Sequence, residues 1–246
     1  MIQKTYHITD YEPFKLREIL TCIASLEEYR SAEQVLVIVL EQCWDTGIIK
    51  EKTDMIKSVL PKAETVGTNH FDAYDPEEAA HCNSIVTFMF FGKRAFAIDH
   101  IGLKDNTDAE AGRLLGDTVS RYSPLQGVLL FISHDMRDVG TVLSEAEKGL
   151  TDVPFFGAAS GSVEPTPDNP LSYVFDTQGI YTDTIAAVSF YGSDLNIRVS
   201  YNYGWTPVGK TMTVTATDGD FRVTGIDGKP AADIYKRYLG LDCKKA

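Results

Sequence analysis

Residues 171–191, LSYVFDTQGIYTDTIAAVSFY, mark where the chain changes character. Before them, helix and strand patterns alternate. From them onward, strand patterns follow one another with no helix between: 171–176, 184–191, 196–203, 211–217 and 220–226. The connectors are turn chemistry, Thr177–Gln178–Gly179, Gly192–Ser193–Asp194 and Asp218–Gly219–Asp220. Short turns join antiparallel neighbours, so the second half is expected to be an antiparallel β-meander.

Upstream, Leu16, Ile19, Leu20, Ile23 and Leu26 recur at helical spacing and predict an amphipathic helix over about 13–30. Val35–Leu40 is short, continuous and β-branched, the pattern of a buried strand. Thr53–Leu60 reads as a helix stopping before Pro61, and Thr65–Gly67 as a short strand. Ser84–Phe91 and Arg94–Ile101 read as a hairpin turning at Gly92–Lys93. Thr107 and Glu110 form a T-x-x-E capping box ahead of a face made by Ala111, Leu114, Leu115, Thr118, Val119 and Tyr122. GVLLFIS at 127–133 is a strong buried strand, 139–150 a helix, and 153–157 a strand entering a glycine-and-serine turn. Gly228–Lys229–Pro230 opens a last helix. The fold class is therefore α+β: a mixed β-sheet flanked by helices, α/β-like at first and antiparallel later. Residues 1–32 are expected as an N-terminal helical extension and 33–246 as one compact unit.

Of 246 residues, 43% are hydrophobic and 24% charged, as in ordinary globular domains. Lys and Arg number 23 against 35 Asp and Glu, a net charge of −12 that argues against nucleic acid and anionic membranes as partners. Cys22, Cys43, Cys82 and Cys243 form no C-x-x-C and are too sparse for a disulfide framework, which suggests a reducing compartment. The first ten residues lack the apolar stretch of a secretory signal, and no apolar run approaches the ~20 residues that span a bilayer. A cytoplasmic protein is expected.

No dinucleotide fingerprint, Walker A motif or H-E-x-x-H occurs. Gly157–Ala158–Ala159–Ser160–Gly161 resembles a nucleophile elbow, but Ala158 stands where the elbow needs glycine. A hydrolase built on Ser160 would also need a placed histidine, for which His134–Asp135 at a strand end is the candidate. The same small-residue turn, with Gly157, Ser160, Gly161 and Ser162, offers backbone donors and hydroxyls to a carboxylate or phosphate, or serves only to reverse the chain. Tyr203–Lys210 is a second concentration: Trp205 can stack on a ligand and Lys210 can pair with an anion, or Trp205 packs in the core and Lys210 is solvated. His81–Cys82 is the one adjacent soft-ligand pair, short of the four ligands of a structural zinc site, so no metal is assigned. Any of His7, His70, His81, His100 or His134 could serve haem as an axial ligand.

Residues 204–240, GWTPVGKTMTVTATDGDFRVTGIDGKPAADIYKRYLG, closely resemble the FIST sensory domain of bacterial signal-transduction proteins. The family's G-W-x-P-x-G-K…V-T pattern is met by Gly204, Trp205, Pro207, Gly209, Lys210, Val214 and Thr215. Its D-G-K-P-A…Y…Y-L-G pattern is met by Asp227, Gly228, Lys229, Pro230, Ala231, Tyr235, Tyr238, Leu239 and Gly240. VPFFGAASGS, residues 153–162, is similar to the family's Gly-Gly-x-Ala-Gly-Asp turn, with Ala158 and Ser162 departing from it. The resemblance spans roughly residues 33–240 and suggests a fragment or short member of a longer sensor.

That resemblance implies a non-catalytic module that binds a small molecule, with amino acids proposed, and controls a histidine kinase, a cyclase or a chemotaxis receptor. Some relatives look like haem-based gas sensors, which keeps haem as the alternative. The expected pocket lies between the 157–162 turn and the 204–210 segment, with Gly157, Ser160, Gly161, Ser162, Trp205 and Lys210 as ligand contacts. Asp152, Asp176 and Asp183 are the acceptors available for an ammonium group.

Overall fold

The apolar run Val35–Leu40 lies between a helix layer and a second sheet, and that placement organises the larger part of the molecule. The computed structural model describes residues 1–9, 11–43, 45–69, 83–133, 138–160, 172–200, 206, 209–219 and 222–239. The chain divides into two units, Met1–Val199 and Ser200–Ala246.

In chain order, the first unit runs β1 (Ile2–Ile8), α1 (Pro13–Ser25), α2 (Glu27–Ser31), β2 (Gln34–Glu41), α3 (Thr46–Val59), β3 (Ala63–Asn69) and β4 (Ser84–Phe91). It continues with β5 (Phe96–Gly102), α4 (Asp108–Val119), β6 (Leu125–Ile132), α5 (Val139–Ala146), β7 (Phe155–Ala159), β8 (Val174–Asp176), β9 (Ile180–Tyr181) and β10 (Thr184–Tyr191). Two sheets result, ordered β1-β4-β2-β3-β8-β9 and β5-β10-β6-β7. Each contains one parallel pair bridged by a helix, β2–α3–β3 in the first and β6–α5–β7 in the second; the other pairings are antiparallel.

Alternate residues of the central strands go to different cores. Val35, Val37 and Val39 of β2 meet Leu16, Leu20 and Ile23 of α1 and Ile49 and Ile56 of α3. Val128, Leu130 and Ile132 of β6 meet Leu115 and Val119 of α4 and Val142 of α5. The opposite faces, with Leu36 and Val66 from one sheet and Leu129, Phe131, Val188 and Phe190 from the other, pack on each other. The unit is thus a four-layer sandwich, helices–sheet–sheet–helices. Helix starts are fixed locally: Asp45 accepts the Gly47 N–H at 2.7 Å, and Thr107 with Glu110 forms the expected capping box.

The α+β class is as expected; several connections are not. Gly92–Lys93 is no hairpin. β4 pairs with β1 and β2, β5 pairs with β10, and the link crosses from one sheet to the other, with Phe91 and Phe96 meeting in the inter-sheet core at 5.4 Å between ring centroids. The second-half strands run antiparallel without forming one meander: β8–β9 extend the first sheet, while β10 sits between β5 and β6 in the second. Asn196–Ser200, expected within a strand over 196–203, is not a strand; 201–203 lie outside the described residues. Its apolar alternation instead reflects Leu195 and Ile197 packing onto the inter-sheet core, Ile197 occupying the space that a Cβ on Gly127 would need. The first 32 residues hold β1, in register with β4, and α1, in the core, so no boundary falls at 32/33. Where the sequence reading has one unit, the structure has two.

The second unit is a three-stranded sheet, β11 (Val214–Asp218), β12 (Arg222–Ile226) and β13 (Lys229–Pro230), followed by α6 (Ala231–Leu239). Pro230 ends the strand immediately before the helix. Asp227, at φ +49°, holds the turn by accepting the Thr213 N–H at 2.9 Å and donating its own N–H to the Thr213 carbonyl at 2.8 Å.

α4 and α5 approach to backbone contact. A Cβ on Gly112 would stand 2.4 Å from the Val142 carbonyl oxygen, and one on Gly116 2.7 Å from that of Ala146. Gly112→Ala is therefore expected to cost about 1–3 kcal/mol by overpacking, despite the ~1 kcal/mol that alanine gains over glycine in a helix. Urea unfolding measures it; a stabilised variant would contradict the packing.

Candidate functional site

A strand buried on both faces has room for polar groups only at its ends, and in the first unit they gather at one end. This is where the parallel strands β2, β3, β6 and β7 finish and the antiparallel β4, β8 and β10 begin. Of the buried polar residues, Glu41, Thr68, Asn69, Ser84, Ser133, Ser160, Ser172 and Thr184 all lie at these strand ends. Carboxyl ends of parallel strands are where sheet proteins commonly bind ligands, because the loops there diverge and leave polar backbone free. Residues 70–82, 134–137 and 161–171, which connect at this end, lie outside the described residues.

In the first sheet the centre is a buried ion pair. Lys52, from α3, donates to Glu41 Oε2 at 2.6 Å and to Ser84 Oγ at 2.8 Å; Ser84 donates to the same carboxylate oxygen at 2.8 Å. Glu41 is wholly buried and Lys52 nearly so, and the ammonium also lies 4.3 Å from the centroid of the Tyr11 ring. Burial raises the Glu41 carboxyl above the ordinary carboxylate range, against the opposing pull of Lys52; burial likewise lowers the Lys52 ammonium, against Glu41. Tyr173, also fully buried, donates its hydroxyl to the Cys43 carbonyl, and burial together with the Glu41 charge keeps that phenol protonated.

A hydrogen-bonded seam joins the sheets here. The Thr68 hydroxyl donates to the Tyr173 carbonyl at 3.1 Å, and the Tyr173 N–H donates to Asn69 Oδ1 at 2.9 Å. Ser172, one residue earlier, meets the Ser160 hydroxyl at the end of β7. The Ser133 hydroxyl donates to the Thr184 carbonyl at 3.0 Å and accepts the Thr184 N–H at 2.9 Å.

The expected contacts separate accordingly. Gly157 is inside β7 rather than in a turn: at φ +141°, a Cβ there would fall 1.8 Å from the Leu130 carbonyl oxygen, so glycine is needed for pairing with β6. Ser160 is 1% exposed and its hydroxyl donates to the Ile132 carbonyl at 3.0 Å, which leaves it a structural hydroxyl and not a poised nucleophile. Gly161, Ser162 and Trp205 lie outside the described residues, as do His70, His81, Cys82 and His134. Lys210 belongs to the second unit, where it is exposed and pairs with Asp227 at 2.9 Å; that carboxylate raises its pKa. There it braces the turn held by Asp227. Asp176 is spent on its own turn, accepting the Gln178 and Gly179 N–H groups at 2.6 and 2.9 Å.

Among the described residues no group of three or more His, Cys, Asp or Glu could hold a metal ion. Of the two described histidines, His7 is exposed on β1, and His100 packs against Tyr181 and stands 3.5 Å from Asp176. Cys43 is in a disulfide bond, and Cys22 is a free, exposed thiol. No described helix is long and apolar enough to cross a membrane.

The first unit is thus a four-layer body whose buried polar groups gather at its strand termini. The family model described as FIST N domain matches residues 35–229, and the chain belongs to that family, known as a sensory domain of signal-transduction proteins rather than as a catalytic one. No curated protein matches the chain.

Lys52→Met removes the counter-charge from the buried Glu41 and is expected to cost about 3–5 kcal/mol at neutral pH. A carboxyl whose folded pKa lies above its unfolded one contributes fully below the usual carboxylate range, and that contribution is lost as pH rises through the folded value. Without Lys52 the folded value rises further, so the deficit relative to wild type should shrink as pH falls toward the ordinary glutamate pKa. Urea unfolding of both proteins across pH measures it; a deficit independent of pH would contradict the buried pair.

Proposed function

We propose that the chain is a non-catalytic sensory module that takes a small carboxylate metabolite, most simply an amino acid, at the polar end of the first unit and passes its occupancy to an output domain or partner of the kinase, cyclase or chemotaxis-receptor kind. The supporting observation is the concentration of buried polar groups where the parallel strands finish, in a protein whose family is sensory. Gly161 and Ser162 directly follow Ser160 in sequence and would supply backbone donors and a hydroxyl to the carboxylate. Lys210, already engaged by Asp227, is not required.

Binding to the folded state alone stabilises it by ~2.7 kcal/mol at 100 times Kd. Each ~1 kcal/mol moves Tm by about 2–4 °C for a domain of this size, so a shift of several degrees is expected. A thermal-shift screen over amino acids and common carboxylates at millimolar concentration checks the reading. Ser162→Trp should remove a positive shift and Lys210→Ala should leave it. A silent panel from folded protein would defeat the amino-acid reading, and a shift indifferent to Ser162→Trp would defeat the placement.

A further inference from the structure

The two sheets of the first unit differ in width, six strands against four, and the inner face of the wider sheet is incompletely covered. β4 shows this residue by residue. Val86, Phe88 and Phe90, facing the helices, are buried, while the alternate Ile85, Thr87 and Met89 are half-buried. Ile38 and Leu40 of β2 repeat the pattern. Small-molecule sites run from about 300 to 1,000 Å³; the cleft here measures ≈ 420 Å³, with Ile38 and Met89 on one wall and Leu129, Phe156 and Phe190 on the other.

Its mouth is polar and has one sign of charge. The segment after β10 alternates, with Leu195 and Ile197 packing inward and Asn196 and Arg198 exposed at the rim. Gln3 and Thr87 complete the rim, and among the described residues no Asp or Glu lines the cleft. Arg198 has no ion-pair partner among the described residues. An ammonium group would find no counter-charge here, whereas a carboxylate would meet a guanidinium whose planar fork matches it.

We propose that this inter-sheet cleft binds an amphipathic monocarboxylate, its alkyl or aryl body held between the sheets and its carboxylate on Arg198. The site is separate from the polar strand ends and selects a different ligand: an anion with an apolar body instead of a zwitterion. Filling the cleft would complete the coverage of β2 and β4, so occupancy should rigidify the first sheet.

Isothermal titration of the whole chain with decanoate, below its micellar concentration, tests the proposal, with decylamine and decanol as controls. Saturable one-to-one binding of decanoate is expected, with decylamine weaker by about tenfold or more. Arg198→Glu should weaken decanoate about tenfold while leaving decanol nearly unchanged. Met89→Trp, which fills the cleft, should abolish binding of both. Arg198→Glu is on the exposed rim and keeps the test decisive if Met89→Trp does not fold. Absence of saturable binding, equal affinity for decanoate and decylamine, or loss of near-ultraviolet circular dichroism on adding decanoate, the mark of a surfactant acting on the fold, would each overturn the proposal. Failure of the amino-acid screen would leave it standing.

Discussion

Burial of β6 and β10 on both faces is the constraint on which the first unit depends. A strand between a helix layer and a second sheet has no solvent side, so each residue along it must be apolar or internally bonded. β10 shows the result: its residues from Thr184 to Phe190 are all buried, the terminal Thr184 is bonded to Ser133, and Ser189 is the exception, its hydroxyl buried without a hydrogen-bond partner among the described residues. Polar chemistry is displaced to the strand ends. There Glu41, Lys52 and Ser84 satisfy one another in the first sheet, and Ser133, Ser160, Ser172 and Thr184 do so in the second and across the seam.

The same constraint makes that end costly to disturb and so suited to signalling. A buried ion pair contributes little net stability when intact and costs heavily when one partner is removed. A ligand that altered the polarity around Asn69 or Tyr173 would act on groups bonded to both β3 and β8, and through Ser172 on β7. The second unit carries its own turn network around Asp227, with Lys210, Thr213 and Thr215 as members or neighbours, and its integrity does not draw on the ion pair.

Much of this was legible in the sequence, for identifiable reasons. Doubly covered strands such as Val35–Leu40 and 127–133 announce themselves as unbroken apolar runs, and the Thr107–Glu110 box is a local bond that needs no tertiary context. What was not legible depends on which strand pairs with which. The step from β4 to β5 has the residues of a tight turn, yet Phe91 and Phe96 pull it across the interior. β1 was missed because only Lys4, Tyr6 and Ile8 turn inward and two of these are polar or amphipathic. The Glu41–Lys52 pair joins residues eleven apart, on a strand and the following helix, and in sequence neither differs from an exposed charge. A signal did exist: Glu41 ends an apolar run, where a solvated acid has no need to be. Gly157 stands out in the sequence as part of a small-residue turn, and the structure gives its missing side chain a packing reason, the close approach of β6.

The central claim is that the strand ends of the first unit form the working end of the molecule. Amide hydrogen exchange, read residue by residue with and without the standard amino acids pooled at millimolar concentration, tests it most directly. The account predicts added protection concentrated at Thr68, Asn69, Ser133, Ser160, Ser172 and Tyr173. Protection confined to residues 206–239, or a melting shift with no change at these six amides, would contradict it.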